Sequence, residues 1–83
     1  MWEQIIDCGK QLNIGYKIRQ AVKNGDQYVT EYKITEIETD QYHLNLISKS
    51  KNGVEVPADS TEVLVFTCEE IINYKFEVWT EIR

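Results

Sequence analysis

Between Tyr28 and Ser50 the chain reads YVTEYKITEIETDQYHLNLISKS, two β-branched and aromatic runs around a polar break at Asp40-Gln41. Such runs, bounded by turn residues, predict two strands back to back, a hairpin. In the first run Tyr28, Tyr32 and Ile34 share a face, and Ile37 breaks the alternation. A β-bulge near Thr35-Glu36 returns Ile37 to the inner face and bends the strand. In the second run Tyr42, Leu44 and Leu46 alternate inward against His43, Asn45 and Ile47.

The flanking segments are shorter. Trp2, Ile5 and Ile6 recur at helical spacing, which suits a turn or two of helix. The alternative is an edge strand over QIIDC, and Gly9 ends either one. From Leu12 to Val22, Ile14, Tyr16, Ile18 and Val22 share a face opposite Lys17 and Arg19, predicting a half-buried strand bent at Gly15. Asn24-Gly25 is a hairpin-turn signal. Ser48 to Gly53 reads as a second turn region, and Val54 and Val56 as a short strand stopped by Pro57. Asp59-Ser60-Thr61 reads as a loop, and Val63 to Thr67 as a strand buried on both faces. Thr67 and Glu70 are spaced for a capping box, opening a short helix that ends by Asn73. In the last strand Tyr74, Phe76 and Val78 point inward, with Glu77, Trp79 and Glu81 opposite and Ile82 extending the inner face.

These elements make a mainly β chain of five or six strands. One short helix precedes the last strand, and a second stands at the N-terminus if the helical reading there holds. No βαβ spacing occurs, so the sheet is predicted to be antiparallel. Strongly bent antiparallel strands in so short a chain predict a small closed barrel. The pattern resembles the SH3-like and Tudor-like barrels in architecture, a likeness that carries no function.

Eighty-three residues make one domain, residues 1–83, and 42% hydrophobic with 28% charged residues is the composition of a soluble folded chain. The longest apolar run, Val63 to Phe66, falls far short of the ~20 residues of a membrane span. The start, MWEQIIDC, has neither a basic region nor a long apolar one, so no signal peptide is read and a cytoplasmic setting is expected. There Cys8 and Cys68 are expected as reduced, buried thiols. A disulfide requires the ends of the domain to meet, which a closed barrel allows. The net charge of −5 argues against a double-stranded nucleic acid partner and fits a protein with a basic surface.

Candidate chemistry is sparse. There is no Gly-rich phosphate loop, paired-His motif or G-x-S-x-G elbow. Cys8 or Cys68 with His43 makes a formal Cys–His pair, but Glu69 and Glu70 oppose a thiolate at Cys68. No enzymatic activity, cofactor or metal is expected, and His43 reads as a surface residue. Glu31, Glu36, Glu38 and Asp40 form one acidic group, and Glu69, Glu70, Glu77 and Glu81 another. They read either as a solvated face or as a docking surface.

Three functions follow. The first is a non-enzymatic protein-interaction module, with Trp79 as anchor among Glu77, Glu81, Glu31, Glu36 and Glu38. In size and composition the chain resembles small proteins of phages and mobile elements of AT-rich bacteria. Anti-CRISPR proteins and other inhibitors of host defence enzymes are among them, so that likeness implies an inhibitor. The second is an anionic, nucleotide-like ligand held by Tyr16, Tyr32, Lys17, Arg19 and Lys33. The third is a structural subunit that pairs with a second copy through Trp79 and an apolar edge, so monomer and homodimer both stay open.

Overall fold

Two turn dipeptides set the frame of the sheet. In the computed structural model, which describes residues 1–57 and 61–80, Gly25 (φ 79°) joins β2 (Lys17–Asn24) to β3 (Asp26–Glu38). Asn52 (φ 53°) and Gly53 (φ 83°) join β4 (Gln41–Lys51) to β5 (Val54–Val56), the paired left-handed conformation of a tight hairpin turn. The two turns sit side by side. Asn52 Nδ2 donates to Asp26 Oδ1 (3.0 Å), and Asn52 Oδ1 accepts from the Gln27 N–H (2.8 Å).

The remaining elements are β1 (Trp2–Gln4), α1 (Cys8–Gln11), β6 (Val63–Thr67), α2 (Cys68–Asn73) and β7 (Glu77–Trp79). All pairings are antiparallel, in the order β1-β7-β2-β3-β4-β5, with β6 beside β5 on the same edge of β4. The described strands number seven, more than the five or six predicted. The predicted closure is not seen, because among the described residues no strand joins the β1 end to β5 or β6. That gap is spanned differently. β6 runs into α2, and the first residues of the two helices, Cys8 and Cys68, form a disulfide with Cα atoms 6.0 Å apart. This corrects the expectation of two reduced thiols: the curl of the sheet brings the residues within bridging reach. It also removes a premise of the cytoplasmic expectation, since disulfides persist in oxidising compartments. No helix among the described residues is long and apolar enough to cross a membrane.

β3 and β4 shift register against each other at two places. One leaves Thr35 without a partner, where the sequence predicts the bulge; Ile34 is fully buried and Ile37 half-buried against the core. The other leaves Ile47 as the extra residue on β4, and nothing in the alternation predicts it. Inside the curl lie Ile18, Ile34, Leu44, Ile71, Phe76 and Val78, all fully buried.

Several predicted inner positions are exposed. The β2–β3 hairpin outruns the core, leaving Val22 and Tyr28 in solvent. Ile14 and Tyr16 precede β2 in a turn and are exposed, and Tyr74 is exposed beyond α2. On β6 only Leu64 and Phe66 pack inward, while Val63 and Val65 face out, because no layer covers that side among the described residues. At the N-terminus neither single reading holds: a three-residue strand is followed by a helix capped by Asp7, and Gly9 lies inside that helix. The capping box at Thr67 and Glu70 forms as predicted, with both hydrogen bonds present (3.2 and 3.0 Å). Asp59, Ser60, Glu81 and Ile82 lie outside the described residues.

Candidate functional site

The outward parity of β1, β7, β2, β3 and β4 collects most of the sequence-predicted site residues on one outer face of the sheet. Strand register lays them out in rows. Glu77 on β7 pairs with Arg19 on β2, Arg19 with Glu31 on β3, and Glu31 with Ser48 on β4. The neighbouring row carries Trp2 opposite Trp79 and Lys17 opposite Lys33, followed by Asn45 and Val63.

The β1–β7–β2 end is ordered by side-chain contacts. The Trp2 and Trp79 rings meet edge to face, 5.3 Å apart at 69°. The Arg19 guanidinium lies 4.4 Å from the Trp2 ring centroid, and Arg19 Nε donates to Glu77 Oε1 at 3.0 Å. A partly exposed ion pair contributes at most about 1 kcal/mol and an exposed cation–π contact about 0.5–1. Their larger effect is to fix the orientation of two indole rings, and Trp79 still leaves 42% of its surface to solvent. Glu31 Oε2 accepts from Ser48 Oγ at 3.0 Å, beside a shallow groove of about 290 Å³ that Glu31, Ser48 and Glu55 help to line.

The two predicted groups, acidic-aromatic and basic, are therefore interleaved rather than separate. Lys17 stands directly across from Lys33, an unfavourable like-charge pair. The tyrosines do not join them. Tyr32 is buried on the inner face against Phe76, ring centroids 6.0 Å apart, and burial followed by the nearby Glu62 pushes its hydroxyl pKa up. That position corrects Tyr32 as a ligand platform. Tyr16 precedes β2 on the parity opposite to Lys17 and Arg19.

Glu36 and Glu38 lie towards the other end of the face, near the β3–β4 turn. Register places Glu36 across from His43, with Glu38 diagonal to it. One ligating atom from each of the three lies within 4.8 Å of the others. His43 Nε2 is 3.8 Å from Glu38 Oε2, too far for a hydrogen bond, and is shielded from solvent with no hydrogen-bond partner among the described residues. Sequence reasoning missed this trio: it places the bulge but not the register across the hairpin, and the register is what sets Glu36 against His43. Neither cysteine reaches the formal Cys–His pair as a thiol, since both are in the disulfide.

No protein-family model, curated protein or solved structure matches this chain.

Proposed function

We propose that the protein is a non-enzymatic interaction module that docks on another protein through the outer face, with Trp79 as the anchor. The observation that carries this reading is the Trp2–Trp79 pair held by Arg19 and Glu77 on an open face. An aromatic anchor that is already oriented loses little conformational freedom on binding, and Trp and Arg dominate interface hot spots. Glu77 and Glu31 beside it, with Glu36 and Glu38 further along, suit a partner with basic groups around an apolar pocket. Inhibition of a host defence enzyme is the specific form of the proposal. A barrel-like curl of the sheet around its core, closed by the disulfide rather than by a ladder, is the scaffold it assumes.

Affinity capture from bacterial lysate with the wild-type chain and Trp79→Ala tests it. One protein retained by the wild type, lost with Trp79→Ala and weakened by salt is the expected result. Its activity is then assayed with and without the module. Equal capture by a folded Trp79→Ala variant overturns the anchor. A chain that elutes alone as an oligomer points instead to self-assembly.

One observation favours a second reading. The facing Lys17 and Lys33, with Arg19 next to them, offer a place where an anion relieves like-charge repulsion. A nucleotide panel read by thermal shift tests it. Saturation at about a hundredfold over the dissociation constant adds about 2.7 kcal/mol, lost in Lys17→Gln/Lys33→Gln.

A further inference from the structure

We propose that Glu36, Glu38 and His43 form a binding site for a divalent transition-metal ion of the zinc class. The trio joins two carboxylates to one imidazole, a donor set of oxygen and nitrogen that zinc accepts. Ligand atoms around a tetrahedral zinc lie roughly 3.4 Å apart, given bonds of about 2.0–2.2 Å. The three here already lie within 4.8 Å, and His43 Nε2 and Glu38 Oε2 are 3.8 Å apart. Closing the remainder needs rotation of two exposed glutamate side chains, not movement of the sheet.

The independent observation is the state of the imidazole nitrogen. The His43 side chain is 23% exposed, but its Nε2 is shielded from solvent and has no hydrogen-bond partner among the described residues. A buried polar atom of this kind calls for an explanation, and a bound ion is one. A proton on Nε2 does not supply it, because the nearest carboxylate oxygen is beyond hydrogen-bond distance. Among the described residues no Lys or Arg pairs with Glu36 or Glu38, and Asp40 in the adjoining turn adds a further negative charge. A divalent cation between the two carboxylates neutralises them and gives the imidazole its missing partner.

The backbone fixes two of the three directions. Glu36 and His43 are cross-strand partners, and Thr35 Oγ1 donates to the His43 carbonyl at 3.3 Å, pinning the bulge that sets their register. The site is therefore built on a hairpin ladder rather than on a loop, the more accurate kind of scaffold for a metal.

Titration calorimetry of the full chain with zinc chloride, and with calcium chloride as the oxygen-preferring comparison, tests the proposal. One zinc per chain is expected, with the His43 ring resonances shifting in step in the NMR spectrum. His43→Gln and Glu36→Gln/Glu38→Gln should each weaken zinc binding at least tenfold. Glu55→Gln, on the same face, should leave it unchanged, and calcium should not displace zinc. Zinc binding that survives His43→Gln, stoichiometry above one with no ring shift, or no heat at all overturns it. The last outcome would assign the shielded nitrogen to a bridging water. The ring resonances of the wild-type chain give a readout that does not depend on any variant folding.

Discussion

Trp79 sits where scaffold and function separate, and a double-mutant cycle with Trp2 measures on which side it falls. A fully buried Trp removes about 150–250 Å² from water. Trp79 is 42% exposed, so somewhat more than half of that is covered, roughly 90–145 Å². At about 25 cal/mol per Å² the burial is worth ~2.5–3.5 kcal/mol. The extended-chain reference overstates it by roughly 10–40%, which leaves about 2 kcal/mol. No cavity term is added, because the space vacated by Trp79→Ala opens to solvent. Phe76, fully buried, should lose about 3–5 kcal/mol on Phe76→Ala. The edge-to-face contact should appear as a coupling of about 0.5–1.5 kcal/mol between Trp2→Ala and Trp79→Ala. Arg19 stacks on Trp2 in both arms of the cycle, so its contribution cancels. Urea unfolding followed by far-ultraviolet circular dichroism is the assay, since the variants delete the fluorophores. A coupling below about 0.3 kcal/mol would show that the rings act independently. A Trp79→Ala loss as large as that of Phe76→Ala would make Trp79 part of the core and end its assignment as anchor.

Three further outcomes are expected. Reduction, or Cys8→Ser/Cys68→Ser, should remove roughly 4 kcal/mol, since the bridge spans 60 residues; an unchanged urea midpoint under reductant would mean the bond is not formed. Ile34→Ala should cost about 2–5 kcal/mol and Ile37→Ala about half as much, because Ile34 is fully buried and Ile37 only partly; equal losses in chemical denaturation would misplace the bulge. The hydroxyls of Tyr32 and Tyr42 should ionise above the usual tyrosine range when tyrosinate absorbance of the wild type is compared with that of Tyr32→Phe and Tyr42→Phe. Burial raises both, helped by Glu62 at Tyr32 and by Asp40 and then Asp7 at Tyr42. The unfolded chain then releases these protons first, so their contribution to stability is complete below about pH 10 and is lost as pH rises through the folded values. A late part of the titration that survives unchanged in both variants would refute this.

The central hairpin was legible because its alternation is strict where both strands cross the core: Tyr32, Ile34, Tyr42, Leu44 and Leu46 are all buried. The bulge was legible from the parity of Ile37. The capping box and both Asn-Gly turns depend only on local geometry, and all of them form. Alternation fails where the strands leave the core. Val22 and Tyr28 keep the inward parity of Ile18 and Tyr32 but have nothing to pack against. Closure is not seen among the described residues, and a period along one strand says nothing about which edges meet. The candidate site was half visible: alternation alone puts Lys17, Arg19 and Lys33 on one outward face, but joining Trp2, Trp79 and Glu77 to that face needed the strand order. His43 reads as a lone surface residue because its partners lie across the hairpin, at a register that alternation along one strand does not give.

The bridge between Cys8 and Cys68 turns most of the chain into a covalent ring, with β2 through β6 inside it and β1 and β7 outside. Two exposed turns of the kind proteases cut, the β2–β3 arm at Gly25 and the turn at Asn52-Gly53, belong to the ring. A single cut at either opens the ring but releases nothing. Such a nicked chain should run as one species without reductant and as two with it. The exposed arm is thereby protected from the usual consequence of exposure for as long as the surroundings remain oxidising.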